Sequence, residues 1–77
     1  MIDRETAVPP WRQLAAILRG KIESGEYAPG SRLPSALALA SEYQVAYPTA
    51  RKALNQLKAE GLTEGVPGYG TFVARPK

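Results

Sequence analysis

Pro48, set between Tyr47 and Thr49 at the head of the stretch "YPTARKALNQLKAEG", is the residue that most constrains how this chain can fold. A proline ring removes a backbone N–H and clashes with the preceding turn, so it is tolerated only in the first turn of a helix. Pro48 therefore marks where a helix starts, and Gly61 marks where it stops as a C′ glycine. Within that helix Ala50, Ala53, Leu54 and Leu57 fall on one face. Pro48, Lys52 and Asn55 then point the opposite way, flanked by Thr49 and Arg51, on a face that is polar, cationic and almost free of acid. Its first turn offers unpaired N–H groups and a positive dipole end, both suited to a phosphate. Tyr47 precedes the proline and is expected outside the α region, its side chain leaving the helix axis.

The same punctuation organises the rest of the chain. From Pro10, the residues Trp11, Leu14, Leu18 and Ile22 recur at helical spacing until Gly25 interrupts them. "YAPG" at 27–30 is a turn signal, with proline pre-setting one central dihedral and glycine accepting positive φ at the next. Ser35 is a natural N-cap for a short helix through Tyr43, whose apolar side carries Leu37, Leu39, Ala40 and Tyr43. Only Gln44-Val45-Ala46 separates this helix from the one at Pro48, which is helix-turn-helix spacing. After Gly61, two short β-prone runs flank Gly65-Val66-Pro67-Gly68-Tyr69-Gly70 and read as a hairpin, a wing in this context. The expected architecture is mainly α with a small β-wing, built from three helices. Residues 1–9 form a loose N-terminal arm, 10–74 the winged helix-turn-helix domain and 75–77 a short basic tail. The expected core is Trp11, Leu14, Leu18, Ile22, Leu39, Leu54, Leu57, Leu62 and Phe72.

Composition narrows the function. At 77 residues the chain permits one compact domain and no large enzyme pocket. It has no cysteine and no histidine, Asp3 is its one aspartate, and the glutamates are scattered. No disulfide, thiol nucleophile, imidazole base, catalytic constellation or metal site is expected, and no cofactor. No apolar run approaches the roughly 18 residues of a membrane span, so a cytoplasmic protein that binds no membrane is expected. The net charge of +3 is mild, but its distribution is not. Through Pro48 cations and anions balance, whereas from Thr49 onward Arg51, Lys52, Lys58, Arg75 and Lys77 face only Glu60 and Glu64.

The segments "SGEYAPGSRLPS", "LA.EY.V..PTARKAL", "L.AEGL" and "GYGTFV", in that order, resemble the DNA-binding domain of the GntR-type bacterial transcriptional regulators, from about Pro10 to Val73. The resemblance implies a winged helix that places its third helix in the major groove of double-stranded DNA and its wing at the minor groove. It implies DNA contacts through Thr49, Arg51 and Gly68. At three positions where this family commonly carries a cation, the chain has Leu37, Tyr47 and Tyr69. The candidate DNA-binding residues are Ser35, Tyr47, Pro48, Thr49, Arg51, Lys52, Asn55, Gly68, Tyr69 and Gly70. The bland alternatives are solvated helix charges for Arg51 and Lys52, cover for apolar surface for Tyr47 and Tyr69, backbone capping for Thr49, and turn geometry alone for Gly68 and Gly70. The family's usual effector-binding and dimerising domain has no counterpart in these residues. The expectation is a stand-alone reader with no small-molecule effector, monomeric in solution and pairing on adjacent half-sites. The rival function is a winged helix that binds protein, with its tyrosines as anchors.

Overall fold

The computed structural model describes residues 2–75, with the order α1 (Pro10–Glu23), α2 (Ala36–Tyr43), α3 (Tyr47–Ala59), β1 (Thr63–Val66) and β2 (Gly70–Val73). Met1 of the expected arm and Pro76 and Lys77 of the expected tail lie outside the described residues. No helix among those described is long and apolar enough to cross a membrane.

Each helix begins and ends where its local chemistry directs. Pro10 opens α1, and the Pro9 carbonyl accepts from the amides of Arg12 and Gln13. Ser35 caps α2, its side chain accepting from the Ala38 amide at 3.1 Å. Pro48 is the second residue of α3, where its missing N–H leaves no intrahelical bond unmade. Tyr47, expected outside the helix, is its first residue, because the Ala50 amide bonds back to the Ala46 carbonyl and encloses it. Gly61 follows α3 with φ 80°. The α2–α3 turn instead uses Gln44 in the left-handed region, φ 55°, and Arg4 donates to its carbonyl.

Leu14, Leu18, Leu39 and Leu57 are fully buried where the three helices meet, and Ala50, Ala53 and Leu54 line the inner face of α3 as expected. Fully burying a leucine contributes about 1.5–3 kcal/mol, so these four side chains anchor the packing. Ile22 and Leu62 pack against this cluster while partly exposed. Trp11 and Phe72, expected in the core, are half-buried. Strand alternation turns Val73 inward and Phe72 to the opposite face, and Trp11 lies at the α1–α3 rim beneath Lys52. Leu37, expected on the apolar side of α2, is 70% exposed. Ala36, Leu39, Ala40 and Tyr43 form the inward stripe at helical spacing, and Leu37 falls about a quarter-turn off it.

The arm expected to be loose is fastened. Gln13 accepts from the Asp3 amide at 2.6 Å and donates to the carbonyls of Asp3 and Val8, while Ile2 packs against the core.

The wing is an antiparallel hairpin with Thr63 opposite Val73 and Val66 opposite Gly70. At its tip the Tyr69 amide bonds the Val66 carbonyl at 2.9 Å, with Pro67 and Gly68 (φ 81°) in the central positions of a type II turn. Residues 30–33 run along the other edge of β2, joined to it through an isolated bridge between Arg32 and Phe72. The Leu33 amide bonds the Thr71 carbonyl, the Val73 amide bonds the Ser31 carbonyl, and the Gly30 amide bonds the Val73 carbonyl.

Candidate nucleic-acid interface

On α3 the residues left outward by the buried stripe form a second stripe at helical spacing, Tyr47, Arg51, Asn55 and Lys58. All four are exposed and line one face of an open cleft of about 360 Å³ between α3, the start of α2 and the wing. α3 contains no acidic residue. The cleft therefore carries the Arg51 and Lys58 charges with nothing on the helix to neutralise them. The Arg51 guanidinium lies 3.5 Å from the Tyr47 hydroxyl, so the Tyr47 ring runs along the helix instead of away from its axis.

The two acids that follow α3 are kept out of this cleft. Glu60 is held on the far side by a two-pronged contact from Arg19, at 2.7 and 2.5 Å, with Gln56 donating at 2.9 Å. These hydrogen bonds, Arg19's foremost, lower the Glu60 carboxyl to about 2. Glu64 sits on β1 between Thr63 and Gly65, and those two neighbours, not Glu64, line the cleft. Period-two alternation along the strand explains the separation.

Of the ten candidate residues, the cleft brings together Ser35, Tyr47, Arg51, Asn55 and Gly70. Pro48 is exposed and Thr49 half-buried in the first turn of α3, beside the cleft. Gly68 and Tyr69 form the wing tip, where Tyr69 is 69% exposed. Lys52 is exposed on the other flank, its ammonium 4.7 Å from the centre of the Trp11 ring. Arg32, Lys58 and Thr63 also line the cleft and are absent from the ten. Lys58 was accessible from spacing alone, since it continues the stripe of Arg51 and Asn55. Arg32 is brought in by the pairing of residues 30–33 with β2, a non-local contact that no local pattern signals. Among the described residues, no cluster of acidic side chains could hold a metal ion.

The sequence model of the family described as "Bacterial regulatory proteins, gntR family" matches residues 10–73. Over 66 residues the chain is 42% identical to the uncharacterized HTH-type transcriptional regulator YdfD of Bacillus subtilis, covering 86% of this chain and 14% of that protein. It is 36% identical over 76 residues to the HTH-type transcriptional repressor NagR of the same organism, covering 99% of this chain and 31% of that protein. The chain thus spans a third or less of the length of these relatives. The fold superimposes with a TM-score of 0.85 on the DNA-binding domain of AraR solved in complex with operator ORR3, at 31% identity, covering 96% of this chain and 89% of that one.

Proposed function

The chain belongs to the GntR family of bacterial regulatory proteins, and from that premise we propose that it is a sequence-specific DNA-binding regulator of transcription, of the repressor kind. In this reading α3 enters the major groove, where Arg51 and Asn55 meet base edges with Thr49 and Lys52 beside them. Ser35 and the first turn at Tyr47 and Pro48 lie along the backbone, and Gly68, Tyr69 and Gly70 bring the wing to the minor groove. An arginine fork on guanine and a carboxamide on adenine are the pairings that major-groove geometry favours. The observation that carries the reading is the outer face of α3, which is cationic, exposed, free of acid and flanked by the wing. That one relative is named a repressor, and that a similar fold is seen with operator DNA, supports it.

The reading extends to stoichiometry and place. The domain works in the cytoplasm, catalyses nothing, takes no small-molecule effector of its own, and engages one half-site as a monomer, pairing only where two half-sites adjoin. The exposed Leu37, Tyr47 and Tyr69 favour a rival, a winged helix that binds protein through apolar anchors. Selection of bound sequences from random duplex DNA separates the two. The DNA reading expects an enriched motif, an affinity that falls with salt at a log–log slope of about −3 to −5, and a loss of about 1–3 kcal/mol for Arg51→Ala. No enrichment together with salt-independent affinity refutes it.

A further inference from the structure

Beside the side chains of Thr63 and Thr71, the wing lines the cleft with two glycines, Gly65 on β1 and Gly70 on β2. Gly65 pairs with Thr71 and Gly70 with Val66, so the two lie on alternate faces of the hairpin, and each has a cation resting against it. The Lys58 ammonium lies 4.0 Å from where a Gly65 Cβ would stand. The Arg32 guanidinium lies closer still to the Gly70 position, its Nε 3.0 Å and Nη2 3.3 Å from a Cβ there, so a side chain at residue 70 would press it back by a few tenths of an ångström. Gly70 also holds φ 116°, a conformation that itself favours glycine. Neither Arg32 nor Lys58 forms an ion pair among the described residues, where the ion pairs are Arg19 with Glu60 and Lys21 with Glu26. On the same face of β1 as Gly65, Thr63 lines the cleft while only 4% exposed, and its hydroxyl has no hydrogen-bond partner among the described residues.

We propose that Arg32 and Lys58 clamp the phosphodiester backbone of the DNA strand that runs between α3 and the wing. This rests on the DNA reading above and adds two residues to it. The ligand chemistry is the singly charged, tetrahedral oxyanion of the backbone, one phosphate to each cation. The guanidinium fork can meet two oxygens of its phosphate at once and the ammonium supplies a point charge to the other. A strand with α3 in its major groove and the wing tip in the adjoining minor groove passes across this cleft, so its phosphates are the anions presented there. The clamp supplies, from the end of α3 and from the 30–33 segment, the positive charge that Leu37, Tyr47 and Tyr69 do not.

The test uses the full chain and the duplex enriched by selection. Binding is measured across a salt series for the native protein, Arg32→Gln, Lys58→Gln and the double variant. The phosphates of the duplex are then replaced one at a time by neutral methylphosphonates. Each single variant should flatten the log–log slope by about 0.9 and the double variant by about 1.8. At least one methylphosphonate should weaken the native protein and leave the double variant unaffected. Thermal melts identify any variant that has lost its fold; should Arg32→Gln do so, Lys58→Gln and Arg32→Lys carry the test, with Arg32→Lys keeping the native slope. Unchanged slopes, or methylphosphonates that cost the native and double-variant proteins equally, overturn the clamp while the DNA reading stands. Native binding that ignores salt overturns both.

Discussion

Replacing Lys52 should destabilise the fold, although the side chain is exposed and pairs with no carboxylate among the described residues. Its ammonium lies 4.7 Å from the centre of the Trp11 ring, joining the outer flank of α3 to the first turn of α1. Indole is the strongest aromatic partner for a cation, and at an exposed site the contact contributes about 0.5–1 kcal/mol. Glutamine matches lysine closely in helix propensity, so Lys52→Gln isolates the charge from the backbone. In a domain of this size each kcal/mol moves the melting temperature by about 4–8 °C, which places the expected fall at about 2–8 °C. Trp11 is the one tryptophan of the chain, so its emission reports the contact directly while circular dichroism follows the melt. In a Trp11→Leu background the same Lys52 substitution should cost less than about 0.3 kcal/mol. An unchanged melt with unchanged emission, or an equal cost in both backgrounds, would refute the coupling. The face pattern of α3 alone gives the opposite expectation, that an outward lysine can be removed without thermal consequence.

Other outcomes follow from single sites. Leu57 is fully buried, and Leu57→Ala should cost about 2–5 kcal/mol by urea denaturation, a large share of what so small a domain can hold. Gln44→Gly should raise stability by about 0.5–1 kcal/mol in the same assay, because glycine relieves the left-handed strain at φ 55° while the carbonyl still accepts from Arg4. Glu60 is lowered to about 2 from an ordinary 4.5, so its stabilising contribution is complete above pH 4.5 and is lost as pH falls toward 2. Melting temperature should therefore drop more steeply over that window for the native chain than for Glu60→Gln, and parallel curves would contradict this.

The parts of the fold that were legible in the sequence are those written by local chemistry. Pro10, Ser35, Pro48 and Gly61 bound their helices through backbone effects that act within one turn, and the buried face of α3 follows from its spacing. The misplaced residues sit where a periodic pattern is ambiguous by one position. Leu37 is apolar yet lies off the stripe of Ala36, Leu39 and Tyr43, and Trp11 begins its pattern at a helix end that α3 does not fully cover. At the candidate interface, Arg51 and Asn55 were visible as outward residues of α3. Arg32 was not, because its position depends on Leu33 and Ser31 bonding to Thr71 and Val73. The direction of Lys52 was hidden for a similar reason, since exposure is a property of one helix and the Trp11 ring belongs to another.

The pairing of residues 30–33 with β2 has a consequence for the order of folding. Its bonds to β2 close a loop that contains the whole of α2 and α3, so the chain entropy of that closure must be met before the bonds can form. Compaction of the two enclosed helices shortens the path between the ends and makes the closure affordable. The helices are thus expected to assemble first and the wing to be fastened last. Arg32 and Gly70 come together only at that closing step, so a partly folded chain would expose the cations of α3 while its cleft was still unmade.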